Sequence, residues 1–217
     1  MQVTAVSSAE ELTVEVLATH YPRATRPLLR ANMVASLDGM ASVGGRSGPL
    51  SGETDRRIFR FLRAGASAVL VGARTAIAES YRESPGFSGD LAEYRRQCGL
   101  PKALRIVVAS RSQERPAQLP GFEHLSLAPE TSPGEVLKRL DIEGPAVLLC
   151  EGGPTLLSEL ARADAIDEYC ITTSFSLVGS GDAPLLPGRL KALRPLIGTS
   201  AIITAEAAHF RLVRPPN

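Results

Sequence analysis

The sequence predicts an α/β protein: a mixed, mostly parallel central sheet with helices on both faces and antiparallel strands added at its C-terminal end. Three observations carry this. Short apolar runs at 67–72, 104–109 and 145–150 have the length and composition of strands buried on both faces. Segments with helical spacing of apolar residues alternate with them, as βαβ units require. After residue 168 the pattern changes, because 169–175, 199–204 and 209–213 are strand-like with no convincing helix between them.

Taken in chain order, Ser8 and Glu11 have capping-box spacing ahead of Leu12, Val16 and Leu17, which predicts a short helix ending before Pro22. Residues 29–36 form a short, largely apolar strand that runs into a glycine-rich loop at 39–52. Between 53 and 64, Ile58, Phe59 and Leu62 fall on one helical face with arginines among the rest, so a helix feeds the strand at 67–72. Further helices are expected at 74–79, 90–98 and 155–163. Another is expected from Ser132, where an N-cap, a proline at the first helical position and Glu135 coincide. One domain, 1–217, is expected, with 1–27 a peripheral segment and 28–214 the core, since a chain of 217 residues can build a single α/β core.

Composition excludes several classes. Hydrophobic residues make up 44% and charged residues 22%, as in ordinary globular domains. The balance of 24 basic and 23 acidic side chains leaves no global field for nucleic acid or a membrane surface, so an anion must be caught locally. Three widely spaced cysteines, two of them in apolar runs, read as buried thiols in a reducing setting. No signal peptide and no apolar run of spanning length is present, so a cytoplasmic location is expected. His20, His124 and His209 are scattered and no cysteine pair has zinc spacing, so no metal site is expected. The Rossmann fingerprint, the Walker loop and Gly-x-Ser-x-Gly are all missing.

Three strand-end constellations remain, the third with a companion. At 147–156 a strand passes through Glu151, Gly152, Gly153 and Pro154 into a helix beginning with Thr155 and Leu156. Glycines there let a phosphate approach the backbone, and the helix N-terminus attracts it; a plain tight turn would use the same residues. Glu151 lies at the strand's C-terminal end, where open α/β sheets place ligands. Asp38, in Ala35-Ser36-Leu37-Asp38-Gly39, is an acid placed to bond the amino and ring N–H groups of a heterocycle, although Asp-Gly is also a common turn pair. Gly72, Arg74 and Thr75 form a strand–helix junction that suits a phosphate or a simple cap. Ser110 and Arg111 could hold the 2′-phosphate that separates NADP from NAD, or could form a surface turn.

Together, residues 32–39 (Asn-Met-Val-Ala-Ser-Leu-Asp-Gly), 47–51, 71–75 and 151–156, in this order, resemble the reductase domain of the riboflavin-pathway bifunctional deaminase/reductase. The resemblance runs from about residue 29 to 213. It implies a dihydrofolate-reductase-like three-layer fold, a homodimer, NADPH as hydride donor, and reduction of the ribosyl group of a 5-amino-6-(5-phosphoribosylamino)pyrimidine (uracil) to ribityl. By matching position, Val34, Ala35, Pro49, Gly72, Arg74, Thr75, Glu79, Ser110, Arg111 and the run Gly152, Gly153, Pro154, Thr155, Leu156 resemble cofactor contacts. Asn32, Ser47, Arg63 and Glu151 resemble substrate contacts, and Asp38 and Glu151 are the expected catalytic pair.

Two departures stand out. Asn32 lies where many bacterial members carry lysine, and Glu79 replaces a usual aspartate. The zinc signature of the deaminase is absent from the sequence, so deamination is expected elsewhere. Two other readings stay open: a paralogue that reduces a pterin such as dihydrofolate, and a non-catalytic nucleotide-binding module on the same fold.

Overall fold

The computed structural model of the chain describes all residues except 84, 115, 128–132, 143, 180–181 and 216–217. Among the described residues the strands are β1 (Gln2–Ala5), β2 (Leu28–Ser36), β3 (Ala68–Gly72), β4 (Arg105–Ser110), β5 (Glu123–Ser126), β6 (Val147–Cys150), β7 (Glu168–Ser174), β8 (Ile197–Ile203) and β9 (Ala207–Val213). The helices are α1 (Val14–His20), α2 (Glu53–Ala64), α3 (Ala73–Ala78), α4 (Gly89–Gln97), α5 (Pro133–Arg139) and α6 (Pro154–Arg162). One sheet takes up every strand, in the order β1-β8-β9-β7-β2-β6-β3-β4-β5.

Within that sheet β9 runs against both its neighbours, β7 and β8, while the other pairs are parallel. The antiparallel end expected after residue 168 therefore reduces to β9. The helix α6 carries the chain from β6 over to β7, so β7 lies parallel to β2. Only the 207–213 segment returns by a short turn and reverses direction.

The alternation of side chains sorts the core into two layers. Val69, Val71, Ile106, Val108 and Leu149 face a cluster with Ile58, Phe61 and Leu62 of α2 and Leu91 and Tyr94 of α4. Their sequence neighbours Ala68, Leu70, Val107, Ala109, Leu148 and Cys150 face the opposite cluster with Leu156, Leu157 and Leu160 of α6 and Val136 of α5. Helices thus cover both faces, as the continuous apolar runs demand. Cys150 and Cys170 are buried, and desolvation pushes both thiols up to about 12, which makes them inert packing groups.

The N-terminal segment departs from expectation. Residues 1–27 are not peripheral: β1 adds to the sheet beside β8, and Leu12 and Leu17 are fully buried against α2. Glu11 accepts the Ser7 and Ser8 N–H groups as the capping box predicts, but it closes only a 3₁₀ turn at Ala9–Glu11. Thr13 then caps α1 through Val16 N–H. The expected cap at Ser132 lies outside the described residues. Two strands, β1 and β5, escape the sequence reading because neither carries the continuous apolar run that makes the equally short β6 legible.

Beneath α2 sits Arg95 of α4, nearly devoid of solvent contact. Its guanidinium donates to five backbone carbonyls, those of Arg63, Ala64, Ala66, Pro101 and Ala103. A helix C-terminus leaves such carbonyls without intrahelical partners, and a cation there also answers the helix dipole.

Candidate active site

A cleft of about 1210 Å³ crosses the C-terminal ends of β2, β3, β4 and β6, where the parallel strands give way to loops and helix starts. Its floor and walls divide by element. Gly72, Arg74, Thr75, Ser110, Arg111, Gly153, Pro154, Thr155, Leu156 and Glu159 line one half; Asn32, Val34, Ser47, Asp55, Phe59, Arg63, Tyr81 and Glu151 line the other.

At the first half β3 and β6 pass side by side into α3 and α6. Gly72 N–H donates to Gly152 O at 2.6 Å, stitching the two corners together. A Cβ on Gly153 would stand 2.4 Å from Thr75 Oγ1, and one on Gly152 would stand 2.6 Å from Met33 Sδ with φ already at +76°. The residue type follows from this crowding as well as from the turn. Arg74 reaches across to donate to Thr155 Oγ1 at 2.8 Å, and the first N–H groups of α6 open on the same space. The cradle suits a phosphate by backbone donors and one guanidinium. Beyond it, Arg111 pairs with Glu159, and Ser110 Oγ lies 2.8 Å from His124 Nε2.

The second half is held by buried side chains. Arg63 donates through Nε and Nη2 to the two oxygens of Glu151, both at 2.7 Å, and Tyr81 donates its hydroxyl to Glu151 Oε2 at 2.5 Å. Phe59 lies under the same guanidinium at 4.1 Å. Burial opposes the charge on Arg63, but Glu151 outweighs it and holds the arginine pKa above its usual value. Burial, and then the charge of Glu151, push the Tyr81 phenol well above its ordinary range. Nearer the start of α2, Asp55 accepts Ser51 Oγ on Oδ2 at 2.5 Å and Thr172 Oγ1 on Oδ1 at 2.6 Å.

Several expected roles change. Asp38 does not reach the cleft; its carboxylate accepts Ser36 Oγ and the backbone N–H groups of Val178 and Gly179, tying the loop after β7 to the end of β2. Those bonds, Ser36 foremost, hold its carboxyl at about 2. An acid after a strand and before glycine served as a loop clamp, the alternative its turn chemistry always offered. Arg63, expected as a substrate contact, has its Nε and Nη2 donors closed on Glu151, since a buried carboxylate needs a partner. Glu79 does not face the glycine corner's donors; it accepts Ser47 N–H at 2.7 Å and Ser47 Oγ at 3.0 Å, so the two residues fasten the glycine-rich loop to α3. Pro49 is exposed on a 3₁₀ turn, Ala35 is buried in β2, and neither they nor Gly152 lines the cleft, although Gly152 shapes it from behind. Asn32 and Val34 do line it, as do the remaining candidates.

Comparison with known proteins decides the kinship. The RibD C-terminal domain description matches residues 27–204. The chain belongs to that family. As a RibD-type reductase domain it is an oxidoreductase of riboflavin biosynthesis. It is 32% identical over 187 residues, 73% of this chain, to the 2,5-diamino-6-ribosylamino-4(3H)-pyrimidinone 5′-phosphate reductase of Archaeoglobus fulgidus, of which it spans 85%. It is 31% identical over 162 residues, 74% of this chain, to the riboflavin biosynthesis protein RibD of Mycobacterium tuberculosis, and spans 45% of that protein. In fold the RibD-type domain resembles a pyrimidine reductase-like protein from Corynebacterium diphtheriae, at TM-score 0.76 and 18% identity over 95% of this chain and 100% of that one. Dihydrofolate reductase from Enterococcus faecalis aligns at TM-score 0.58 and 18% identity over 87% and 97% of the two chains. The dihydrofolate-reductase-like fold expected from the sequence is thus the fold this RibD-type domain has.

Sequence reasoning missed Asp55, Phe59 and Tyr81 as site residues. Phe59 was legible as a helix-face residue but was counted with the core. Tyr81 follows a short helix with no motif around it. Asp55 reads as an ordinary first-turn acid of a helix, a position where carboxylates are common for reasons unrelated to ligands.

Proposed function

We propose that the chain is an NADPH-dependent reductase that converts the ribosyl group of a 5-amino-6-(5-phosphoribosylamino)pyrimidine to ribityl, working as a cytoplasmic homodimer. The observation that carries this reading is one cleft with two unlike halves: a backbone cradle at the joined corners of β3 and β6, facing a polar pocket on α2 and β2. Gly153 fits the cofactor, because the space a Cβ would fill is bounded by Thr75 and opens on the α6 N-terminus.

In this reading Gly72, Arg74, Thr75 and the run from Gly153 to Leu156 hold the pyrophosphate, and Ser110 with Arg111 holds the 2′-phosphate. When bound, the cofactor supplies a hydride. The chain's own part is alignment and exclusion of water. Arg63, Glu151 and Tyr81 form a rigid wall whose three mutual bonds fix its shape before any ligand arrives. Glu151 acts there as an anchor for the arginine, since its oxygens already accept three donors. Asn32 offers an amide to the cleft that, among the described residues, has no hydrogen-bond partner. The homodimer is supported by Leu37, Phe175 and Leu177, large apolar residues exposed side by side where Leu37 N–H meets Ser176 O.

Consumption of NADPH with a phosphoribosylaminopyrimidine, set against dihydrofolate, tests the reading. Turnover of the pyrimidine alone is the expected result. Turnover of dihydrofolate alone, or no melting shift with NADPH, would sink it. Light scattering of wild type and Leu177→Asp tests the dimer: a monomeric wild type removes that part.

A further inference from the structure

We propose that Asp182 is a positioning residue of the reductase: it seats the hairpin at 40–47 on the cleft and commits the Ser42 hydroxyl proton, so that Ser42 Oγ meets the ligand as an acceptor of ribose O–H groups. The inference rests on the reductase reading above and adds to it a residue that does not itself line the cleft.

Three serines of the loop between β2 and α2, Ser42, Ser47 and Ser51, line the cleft. Each faces a carboxylate from a different part of the chain. Ser42 Oγ lies 3.1 Å from Asp182 Oδ1, Ser47 Oγ 3.0 Å from Glu79 Oε1 and Ser51 Oγ 2.5 Å from Asp55 Oδ2. A carboxylate ion has no proton to give, so each serine donates its one proton to the protein. Among the described residues nothing donates to the three serine oxygens, and lone pairs are what they hold out to a ligand. This wall is the electrostatic opposite of the glycine corner, where backbone N–H groups and Arg74 offer donors. Phosphate oxygens, which only accept, suit the corner; sugar hydroxyls, which carry protons, suit the serines.

Glu79 and Asp55 line the cleft, whereas Asp182 stands behind it and acts through the hairpin. Besides Ser42 it accepts Gly44 N–H on Oδ2 at 3.2 Å and Gly45 N–H on Oδ1 at 3.0 Å. Gly44 and Gly45 have φ of +58° and +79°, the left-handed pair that a two-residue hairpin turn needs, and the bridge between Val43 and Arg46 closes that turn. The N–H groups of Gly45 and then Gly44 hold the Asp182 carboxyl below its ordinary range, which keeps it an acceptor at neutral pH. Backbone bonds alongside, Ala41 N–H to Ala183 O at 2.9 Å and Leu185 N–H to Gly39 O at 2.8 Å, lay the hairpin against the segment that carries Asp182. One carboxylate thus sets both where Ser42 stands and which way its proton points. Both ligands of the proposed reaction carry ribose hydroxyls, the pyrimidine on its sugar and the dinucleotide on its nicotinamide ribose, and kinetics with each tells them apart.

The test is kcat and KM for NADPH and for the phosphoribosylaminopyrimidine with wild type, Ser42→Ala, Asp182→Asn and the double variant. Ser42→Ala removes the acceptor, and Asp182→Asn replaces an ion that only accepts with an amide that also donates. Each should raise KM about tenfold for one ligand, the scale of a lost hydrogen bond, and leave kcat and the other KM within about twofold. A rise for the pyrimidine assigns the hydroxyl to the substrate sugar; a rise for NADPH assigns it to the cofactor ribose. Because the two changes act on one contact, the double variant should be no worse than Ser42→Ala by more than about twofold. A Ser42→Ala variant that leaves both KM values unchanged, or shifts them alike, overturns the proposal. Effects that multiply in the double variant also overturn it, as does an Asp182→Asn loss that strikes kcat and both KM values equally. If Asp182→Asn does not fold, Asp182→Ala takes its place in the cycle with the same expectations. Wild type inactive on the pyrimidine would sink the reductase reading and this inference with it, whereas an active wild type with an unchanged Ser42→Ala sinks only the inference.

Discussion

At the glycine corner the backbone does the shaping, and along α2 the side chains do. The corner is made where two parallel strands end side by side: Gly72, Gly152 and Gly153 leave out the atoms that would collide, and a single N–H to carbonyl bond joins the turns. The α2 wall is made of pairs far apart in the chain, Arg63 with Glu151 and Asp55 with Thr172, each fixed by charge or hydroxyl geometry. A backbone cradle tolerates changes in the side chains around it but no added bulk. A side-chain wall has the reverse sensitivity.

The largest effect is expected on the α2 wall. Glu151→Ala strands Arg63 without its carboxylate and should cost about 3 kcal/mol or more of stability, read by urea denaturation, together with nearly all activity. Tyr81→Phe removes one bond to the same carboxylate and should cost far less; equal losses would mean the phenol and not the ion pair holds the wall.

Gly153→Ala should be next. Its Cβ would collide with Thr75 Oγ1, an overpacking cost of about 1–3 kcal/mol, and NADPH affinity measured by fluorescence titration should fall more steeply than stability. If affinity were unchanged, the cradle would not be where the dinucleotide lies.

These two halves differ in legibility for the same reason. The corner could be read because its cause is local: strand, glycines, proline and helix follow one another within ten residues. The wall could be read only as separate residues. Glu151 and Arg63 were each singled out, but their bond spans 88 positions, and nothing in either neighbourhood announces the partner. Asp55 shows the limit more sharply, because its meaning depends on Thr172, 117 residues away, and on the register of β7 against β9. The layers and most element positions were legible from periodicity. The direction of β7 was not, since it depends on α6 acting as a crossover.

A smaller effect is expected beyond the corner. Arg111→Ala should reduce the preference for NADPH over NADH about tenfold, the scale of one charged hydrogen bond, with melting temperature little changed because the Arg111 side of the Glu159 pair is exposed. An unaltered preference would move the 2′-phosphate contact to other residues, His124 first among them.

The smallest effect concerns the rim. Asp38 has a folded pKa of about 2, below its usual 3.8, so the bonds it accepts stabilise the fold above the usual value and are lost as pH falls through the lower one. The melting-temperature difference between wild type and Asp38→Asn should therefore be constant from pH 7 down to about 4 and vanish towards pH 2. Neutral-pH kcat should be unchanged within about twofold, as for surface substitutions away from the reacting groups. A large kcat loss would return Asp38 to the catalytic list.

Arg95 has a consequence for all of this. By gripping the carbonyls of Arg63, Ala64 and Ala66 at the foot of α2 together with those of Pro101 and Ala103 ahead of β4, it turns that helix into a gauge with a fixed zero, so the interval between Asp55 and Arg63 is set once. One inserted residue between them would turn one end about 100° relative to the other and lengthen the gauge by about 1.5 Å.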